Sequence, residues 1–111
     1  MSNYTLEDLE VSQLSIKIAD KVWDIVLQWN YLAKDTIGKP IIKSSDSIPA
    51  NISEGYGRYH VKENKQFCFY SRGAKNRKLI RNENYKNLFS ELEVIHKKLN
   101  SYMKFIGNIA K

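Results

Sequence analysis

The chain has 111 residues, of which 42% are hydrophobic, and a formal net charge of +6 at pH 7. We expect one domain spanning residues 1–111, since this length is typical of single domains and this hydrophobic fraction suffices for a core. No stretch approaches the ~20 apolar residues that a membrane-spanning helix requires. Glu7 and Asp8 give an acidic start, the reverse of a secretory leader. Because Cys68 is the single cysteine, we expect no internal disulfide and a reduced, cytoplasmic setting.

The first predicted helix follows a lead-in over residues 1–10. Ser12 suits the N-cap position, because its hydroxyl can accept a hydrogen bond from a first-turn N–H. Apolar residues after it recur at spacings of 3 and 4, which predicts an amphipathic helix with one broad buried face. That face comprises Leu14, Ile18, Val22, Ile25, Trp29 and Leu32, widened by Ala19, Trp23 and Val26.

A second helix is predicted after a polar turn over residues 33–36, beginning between Asp35 and Pro40. Its serine-rich middle, residues 44–47, has low helix propensity, but isoleucines flank it in phase. Pro49 lacks an N–H and its ring crowds the carbonyl four residues earlier, so the second helix should bend there. Glycine readily adopts the left-handed conformation that ends a helix, so Gly55 and Gly57 supply the stop.

The third helix is predicted from Lys62 to about Arg81, with Gly73 inside it at a close contact between helices. Its inward residues are Phe67, Tyr70 and Ala74.

The fourth helix has the most regular periodicity, a sustained seam at spacings of 3 and 4. Asn82 and Asn84 suit the preceding turn and N-cap, and Gly107 is predicted to end the helix. The seam comprises Tyr85, Leu88, Leu92, Ile95, Leu99, Tyr102 and Ile106, broadened by Phe89 and Met103.

Together these elements predict an all-α, antiparallel, up-and-down four-helix bundle. Large apolar residues remain beyond what the seams need, and they suggest self-association. Examples are Trp23, Tyr56 and Phe69.

One segment of the chain is strongly basic. Half of the 18 Lys and Arg residues lie between Arg58 and Lys86, against two acids, Glu63 and Glu83. Such a segment suits salt-sensitive, sequence-independent contacts with the phosphates of RNA or DNA, and nearby Tyr59 suits stacking on bases. The alternative is that these side chains only solvate an exposed helix face. The candidate nucleic-acid-binding residues are Arg58, Lys62, Lys65, Arg72, Lys75, Arg77, Lys78 and Arg81.

The sequence offers little for catalysis or metal binding. The Gly55–Arg58 stretch has neither the preceding strand nor the following Gly-Lys-Ser/Thr of a phosphate-binding loop. His60 and His96 lack the spacing of metal ligands, and Cys68 fits a packed small side chain better than a nucleophile. We therefore expect a non-enzymatic protein without a metal or cofactor.

A resemblance to a known family lies in the stretch Ile48-Pro49-Ala50-Asn51-Ile52-Ser53-Glu54-Gly55-Tyr56-Gly57-Arg58. It resembles the signature of small bacterial four-helix bundle proteins, first noticed as reading frames in intervening sequences of large-subunit ribosomal RNA genes. Similarity continues at residues 9–11, at residues 67–70 with 72–73, and at residues 92–100. The signature residues are Ile48, Pro49, Asn51, Ile52, Gly55, Tyr56 and Gly57.

The resemblance implies a homopentamer with no assigned enzymatic activity. Related accessory proteins of diversity-generating retroelements form a basic pentameric barrel that engages a reverse transcriptase and nucleic acid. The chain departs from the family pattern after Gly73, where Ala74-Lys75-Asn76-Arg77-Lys78-Leu79 replaces an acidic, leucine-rich turn. This difference makes the surface more basic.

Overall fold

A computed structural model describes residues 6–53 and 61–110, with the side chains of residues 10–50, 52 and 65–98. Over these ranges the chain is helical and has no strand, which confirms the all-α class. The elements are α1 (Leu6–Leu27), α2 (Tyr31–Ala33), a π-helical turn (Lys34–Gly38), α3 (Lys39–Ser53), α4 (Val61–Asn76) and α5 (Asn82–Ala110). Because α2, the π-helical turn and α3 follow without a break, the described chain forms the four helical rods of a four-helix bundle.

The core lies where α1 packs against α3 and α5, and α3 packs against α4. Two ion pairs join α1 to α5: Lys21 with Glu91, and Glu10 with Lys98 at 3.0 Å. The residue that comes later on α1, Lys21, pairs with the residue that comes earlier on α5, Glu91. The two helices therefore run in opposite directions. The largest core side chains are Ile18 and Val22 from α1, Ile41 and Ile48 from α3, Phe67 from α4, and Leu88 and Ile95 from α5.

The start of α1 differs from the prediction. The helix begins at Leu6, inside the predicted lead-in, so the assignment of Ser12 as the N-cap is wrong. Ser12 lies within the helix, where its carbonyl accepts a hydrogen bond from the Ser15 hydroxyl at 2.8 Å. Val11 is almost fully buried. Burial of an earlier apolar residue therefore extends the helix beyond the local capping signal.

The end of α1 also differs. The helix ends at Leu27, and the apolar pattern that was read as one helix crosses a turn. Trp29 lies in this turn but is buried, and its Nε1–H donates to the carbonyl of Leu79 at 3.0 Å. Leu32 is 71% exposed, so its assignment to the inward face is wrong. Trp23 is also half-exposed and does not widen the buried stripe.

The second rod begins at Tyr31, earlier than predicted, and the predicted polar turn at 33–36 is helical. Asn30 is the N-cap, since its side chain accepts from the backbone N–H of Ala33 at 2.9 Å. The π-helical turn then packs closely on α1. A Cβ atom at Gly38 would lie 2.8 Å from Val26 Cγ1, so only glycine fits at this approach.

The serine-rich part of α3 is helical, as predicted. Ser44 and Ser45 are buried, and their hydroxyls donate to the carbonyls of Ile41 and Ile42 at 3.0 Å each. These bonds satisfy polar groups that would otherwise destabilise a core helix.

The residues of the family signature are described only in part. Ile48 and Ile52 are buried on the inner face of α3, as their phase predicts. Pro49 lies inside α3, and the bend predicted there stays a prediction. The side chain of Asn51, with Gly55, Tyr56 and Gly57, lies outside the described residues.

The end of α4 comes at Asn76 instead of near Arg81. The N–H of Leu79 donates to the carbonyl of Ala74 at 2.8 Å, and that of Lys78 donates to Lys75 at 2.9 Å. With Lys78 at a φ of 62°, these bonds form a Schellman motif. Glycine is usual at this position, so lysine gave no sequence signal for the stop.

Two predicted roles of glycine are wrong. A Cβ at Gly73 would meet nothing within 4 Å, so Gly73 does not mark a close helix contact in this chain. Gly107 lies inside α5, which continues to Ala110. A glycine lowers helix stability by about 1 kcal/mol, too little to end a long, well-packed helix. The predicted seam of α5 is confirmed where its side chains are described, at Leu88, Leu92 and Ile95.

Candidate nucleic-acid interface

The predicted basic residues divide into described and undescribed positions. Arg58 and the side chain of Lys62 lie outside the described residues. The other six lie on α4 and on the turn that follows it. Of these, Lys75 is partly buried, and the exposed ones are Lys65, Arg72, Arg77, Lys78 and Arg81.

The first cluster is the α4 outer face, formed by Lys65, Phe69 and Arg72. Spacings of 4 and 3 place these residues on one side of the helix, away from buried Phe67 and Ala74. Phe69 is 73% exposed. The α4 outer face therefore presents an aromatic ring between two cations.

The second cluster is the basic turn between α4 and α5, formed by Arg77, Lys78 and Arg81. All three side chains are exposed. The backbone beneath them is anchored, because Ile80 is buried and the carbonyl of Leu79 accepts the hydrogen bond from Trp29. The basic turn thus presents three cations at a fixed corner of the bundle.

Lys75 does not join either cluster. Its Nζ lies 4.9 Å from the centroid of the Tyr85 ring on α5, a cation–π contact worth about 0.5–1 kcal/mol at an exposed site. The contact with Tyr85 turns its ammonium toward α5.

A groove of about 660 Å³ runs between α4 and α5 and is lined in part by Cys68, Glu93 and His96. Burial raises the pKa of the Cys68 thiol, although nearby Arg72 opposes this shift. Burial also lowers the pKa of His96, opposed by Glu93. At neutral pH the thiol is therefore protonated, the less reactive form, which fits its reading as a packing residue.

Within residues 6–53 and 61–110, the part of the chain that the structure describes contains neither a metal-binding cluster nor a membrane-spanning helix. The His, Cys, Asp and Glu side chains that the structure describes form no group of three or more able to hold a metal ion. His60 is not among them. Among the helices of these ranges, none combines the length and apolarity needed to span a membrane.

One exposed surface was not singled out from the sequence as a unit. Ile16, Trp23 and Leu27, here called the α1 stripe, follow each other at spacings of 7 and 4 and share one face of α1. Each is about half exposed. Their shared position on the helix was a sequence signal for a second apolar face. The stronger periodicity of the core-facing residues on α1 obscured it.

Four helical rods around a shared aliphatic core define a four-helix bundle protein. The family model described as "23S rRNA-intervening sequence protein" matches residues 7–101. The chain belongs to this family, and the resemblance read from residues 48–58 is confirmed. No curated protein and no solved structure matches the chain. The relation to accessory proteins of retroelements stays a prediction.

Proposed function

We propose that this protein binds RNA or single-stranded DNA without sequence specificity, through phosphate contacts, and catalyses no reaction. The observation that supports this most is the basic turn, because Arg77, Lys78 and Arg81 are all exposed on an anchored backbone. Membership of a family named for 23S rRNA intervening sequences is compatible with an RNA-associated role.

The physical basis is release of counterions. Each phosphate that a lysine or arginine neutralises frees condensed cations, and the logarithm of affinity falls by about 0.7 per contact for each tenfold rise in salt on single strands. Three contacts by the basic turn then give a slope of roughly −2. Phosphates carry no base identity, so different sequences of equal length should bind alike.

The test neutralises the basic turn with Arg77→Gln, Lys78→Asn and Arg81→Gln in one variant. Asparagine is chosen at position 78 because it tolerates a positive φ. A matched control neutralises three exposed lysines on other surfaces, Lys17, Lys43 and Lys97. Lys75 is left intact, because the Tyr85 ring holds it.

The readout is fluorescence anisotropy of labelled single-stranded RNA over a range of salt concentrations. We expect the turn variant to lose affinity and to reduce the slope by about 2, while the control changes the slope little. Absence of wild-type binding at low salt would refute the proposal. Equal losses in both variants would mean that net charge alone attracts the RNA.

Self-association is a second candidate function, in which the chain is an assembly module and its basic residues are incidental. The observation that favours it is the half-exposed α1 stripe, since exposed apolar patches commonly mark protein interfaces. The family resemblance implies five subunits. Light scattering should then give a mass near five chains, and a monomer at all concentrations would contradict this candidate.

An accessory role with a reverse transcriptase is a special case of nucleic-acid binding, because it would use the same basic residues. It rests on the resemblance alone. A neighbouring reverse transcriptase gene with a template repeat would support it.

A further inference from the structure

The α1 stripe is an apolar seam without a partner in the described chain. Ile16, Trp23 and Leu27 are 49%, 51% and 51% exposed. Spacings of 7 and 4 are those of the a and d positions of a coiled-coil seam, which normally pack against another helix. The core side of the same helix, with Ile18 and Val22, is already covered. The stripe is therefore a second packing face on α1.

Acidic side chains border this stripe. Asp20 and Asp24 lie on α1, and Asp46 lies on α3. Of the ion pairs between described residues, none involves these three aspartates. The pKa of Asp46 is raised, first by burial and second by the charge of Asp20, so these two carboxylates lie close enough to repel each other. Cations from outside the chain would relieve this repulsion.

The α4 outer face has the complementary properties. Phe69 supplies an exposed apolar centre, and Lys65 and Arg72 supply positive charge on either side. Among the described residues, the backbones of α1 and α4 do not approach each other directly, because α3 and α5 separate the two helices around the bundle. One chain cannot bring its own α1 stripe and α4 outer face together, so the two faces can meet only between copies.

We propose that copies of this protein associate head to tail, with the α1 stripe of one copy seated on the α4 outer face of the next. Trp23 then packs near Phe69, and the acidic border faces Lys65 and Arg72. This inference rests on the self-association proposed above and adds which faces meet. Charge and apolarity both match between the two faces, whereas two α1 stripes would bring acidic borders together.

The contact divides the basic residues by role. Lys65 and Arg72 belong to the contact between copies, whereas Arg77, Lys78 and Arg81 stay accessible for nucleic acid. A head-to-tail contact uses two different patches of each copy, so a copy with one damaged patch still has one intact patch. This property gives a direct test.

The test uses Trp23→Glu, which damages the α1 stripe, and Phe69→Glu, which damages the α4 outer face. Each change places a charge at the apolar centre of the contact, where burial is unfavourable. Both side chains are exposed, so folding should persist, and circular dichroism checks this. Val94→Glu on α5, another exposed apolar residue, is the matched control and should leave assembly unchanged.

We expect each single variant to be a monomer of 13.0 kDa by light scattering, and the equimolar mixture to form heterodimers of twice that mass. The heterodimer forms because the intact stripe of the Phe69→Glu chain meets the intact outer face of the Trp23→Glu chain. If Phe69→Glu still self-associates, or the mixture stays monomeric, the head-to-tail contact is wrong.

Failure of this contact can be distinguished from failure of the functions proposed above. A wild-type monomer refutes self-association as a whole, and the contact with it. Binding of single-stranded RNA by the monomeric variants tests the basic turn separately. We expect that binding to persist, weakened only by the loss of multivalency.

Discussion

Lys78 holds a backbone conformation that suits glycine better than lysine. Its φ of 62° closes the Schellman motif that ends α4, and a Cβ atom is unfavourable in this left-handed region. We expect Lys78→Gly to raise the free energy of unfolding by roughly 0.5–1 kcal/mol, after the larger unfolded-state entropy of glycine is deducted. Urea denaturation measures this. Lys78→Val should lower stability instead, and a gain with valine would contradict the assigned φ.

Gly38 and Gly73 allow the same substitution to be tested in opposite surroundings. Alanine at Gly38 would place its Cβ 2.8 Å from Val26 Cγ1, so we expect a loss of about 1–3 kcal/mol from overpacking. Alanine at Gly73 would meet nothing within 4 Å and should gain about 0.5–1 kcal/mol from higher helix propensity. Urea denaturation compares the free energies of unfolding of the two variants with that of the wild type. A loss at Gly73→Ala would show that the position is crowded in solution.

At the scale of the elements, the pKa of Asp46 on α3 is raised, first by partial desolvation and second by the charge of Asp20 on α1. Because the pKa of Asp46 is raised in the folded chain, its proton favours the folded state. The stability from this site is therefore complete below the unfolded-state pKa and is lost as pH rises through the folded-state pKa. We expect Asp46→Asn to stabilise the monomer slightly at pH 7 and not at pH 3.

The control for this pH dependence removes the charge of Asp20, which contributes to the raised pKa of Asp46. In an Asp20→Asn background the gain from Asp46→Asn should shrink, since part of the repulsion is already removed. Thermal unfolding at both pH values compares the stabilities of the wild type, the two single variants and the double variant. An equal gain at pH 3 and pH 7 would show that the effect does not depend on ionisation.

Helix interiors could be predicted from the sequence, whereas helix ends could not. The isoleucines of α3 and the seam of α5 carry strong periodicity, and burial follows it at Ile41, Ile48 and Leu92. The turn after Leu27 was not predicted, because Trp29 and Leu32 continue the apolar periodicity across it. The end of α4 was not predicted, because the residue with the left-handed backbone conformation there is a lysine and not a glycine. Ends depend on capping bonds that apolar spacing does not encode.

The same division holds for the candidate site. Charge counting located the basic segment, since composition needs no fold. It could not show that Lys75 turns to the Tyr85 ring, because that contact depends on how α4 sits against α5. Phe69 is already surplus to the buried seams in the sequence, and its side chain is exposed. Ile16, Trp23 and Leu27 share a phase in the sequence, but their exposure depends on which face of α1 the core covers.

For the whole molecule, salt should separate the two proposed activities. Nucleic-acid binding by the basic turn depends on phosphate contacts, so a rise from 50 to 200 mM salt should weaken it by roughly 16-fold at a slope of −2. The contact between copies has an apolar centre at Trp23 and Phe69, with charges only at its border. Salt screens those border charges but not the apolar contact.

We therefore expect assembly to persist at a salt concentration that releases RNA. Light scattering and RNA anisotropy on the same samples, titrated together, make the comparison. The Lys65→Gln, Arg72→Gln double variant makes the comparison more specific. We expect this variant to assemble more weakly while the salt dependence of its RNA affinity stays unchanged. If assembly and RNA binding instead fall in parallel along the titration, both activities depend on the same charges, and the separation of the α4 outer face from the basic turn is wrong.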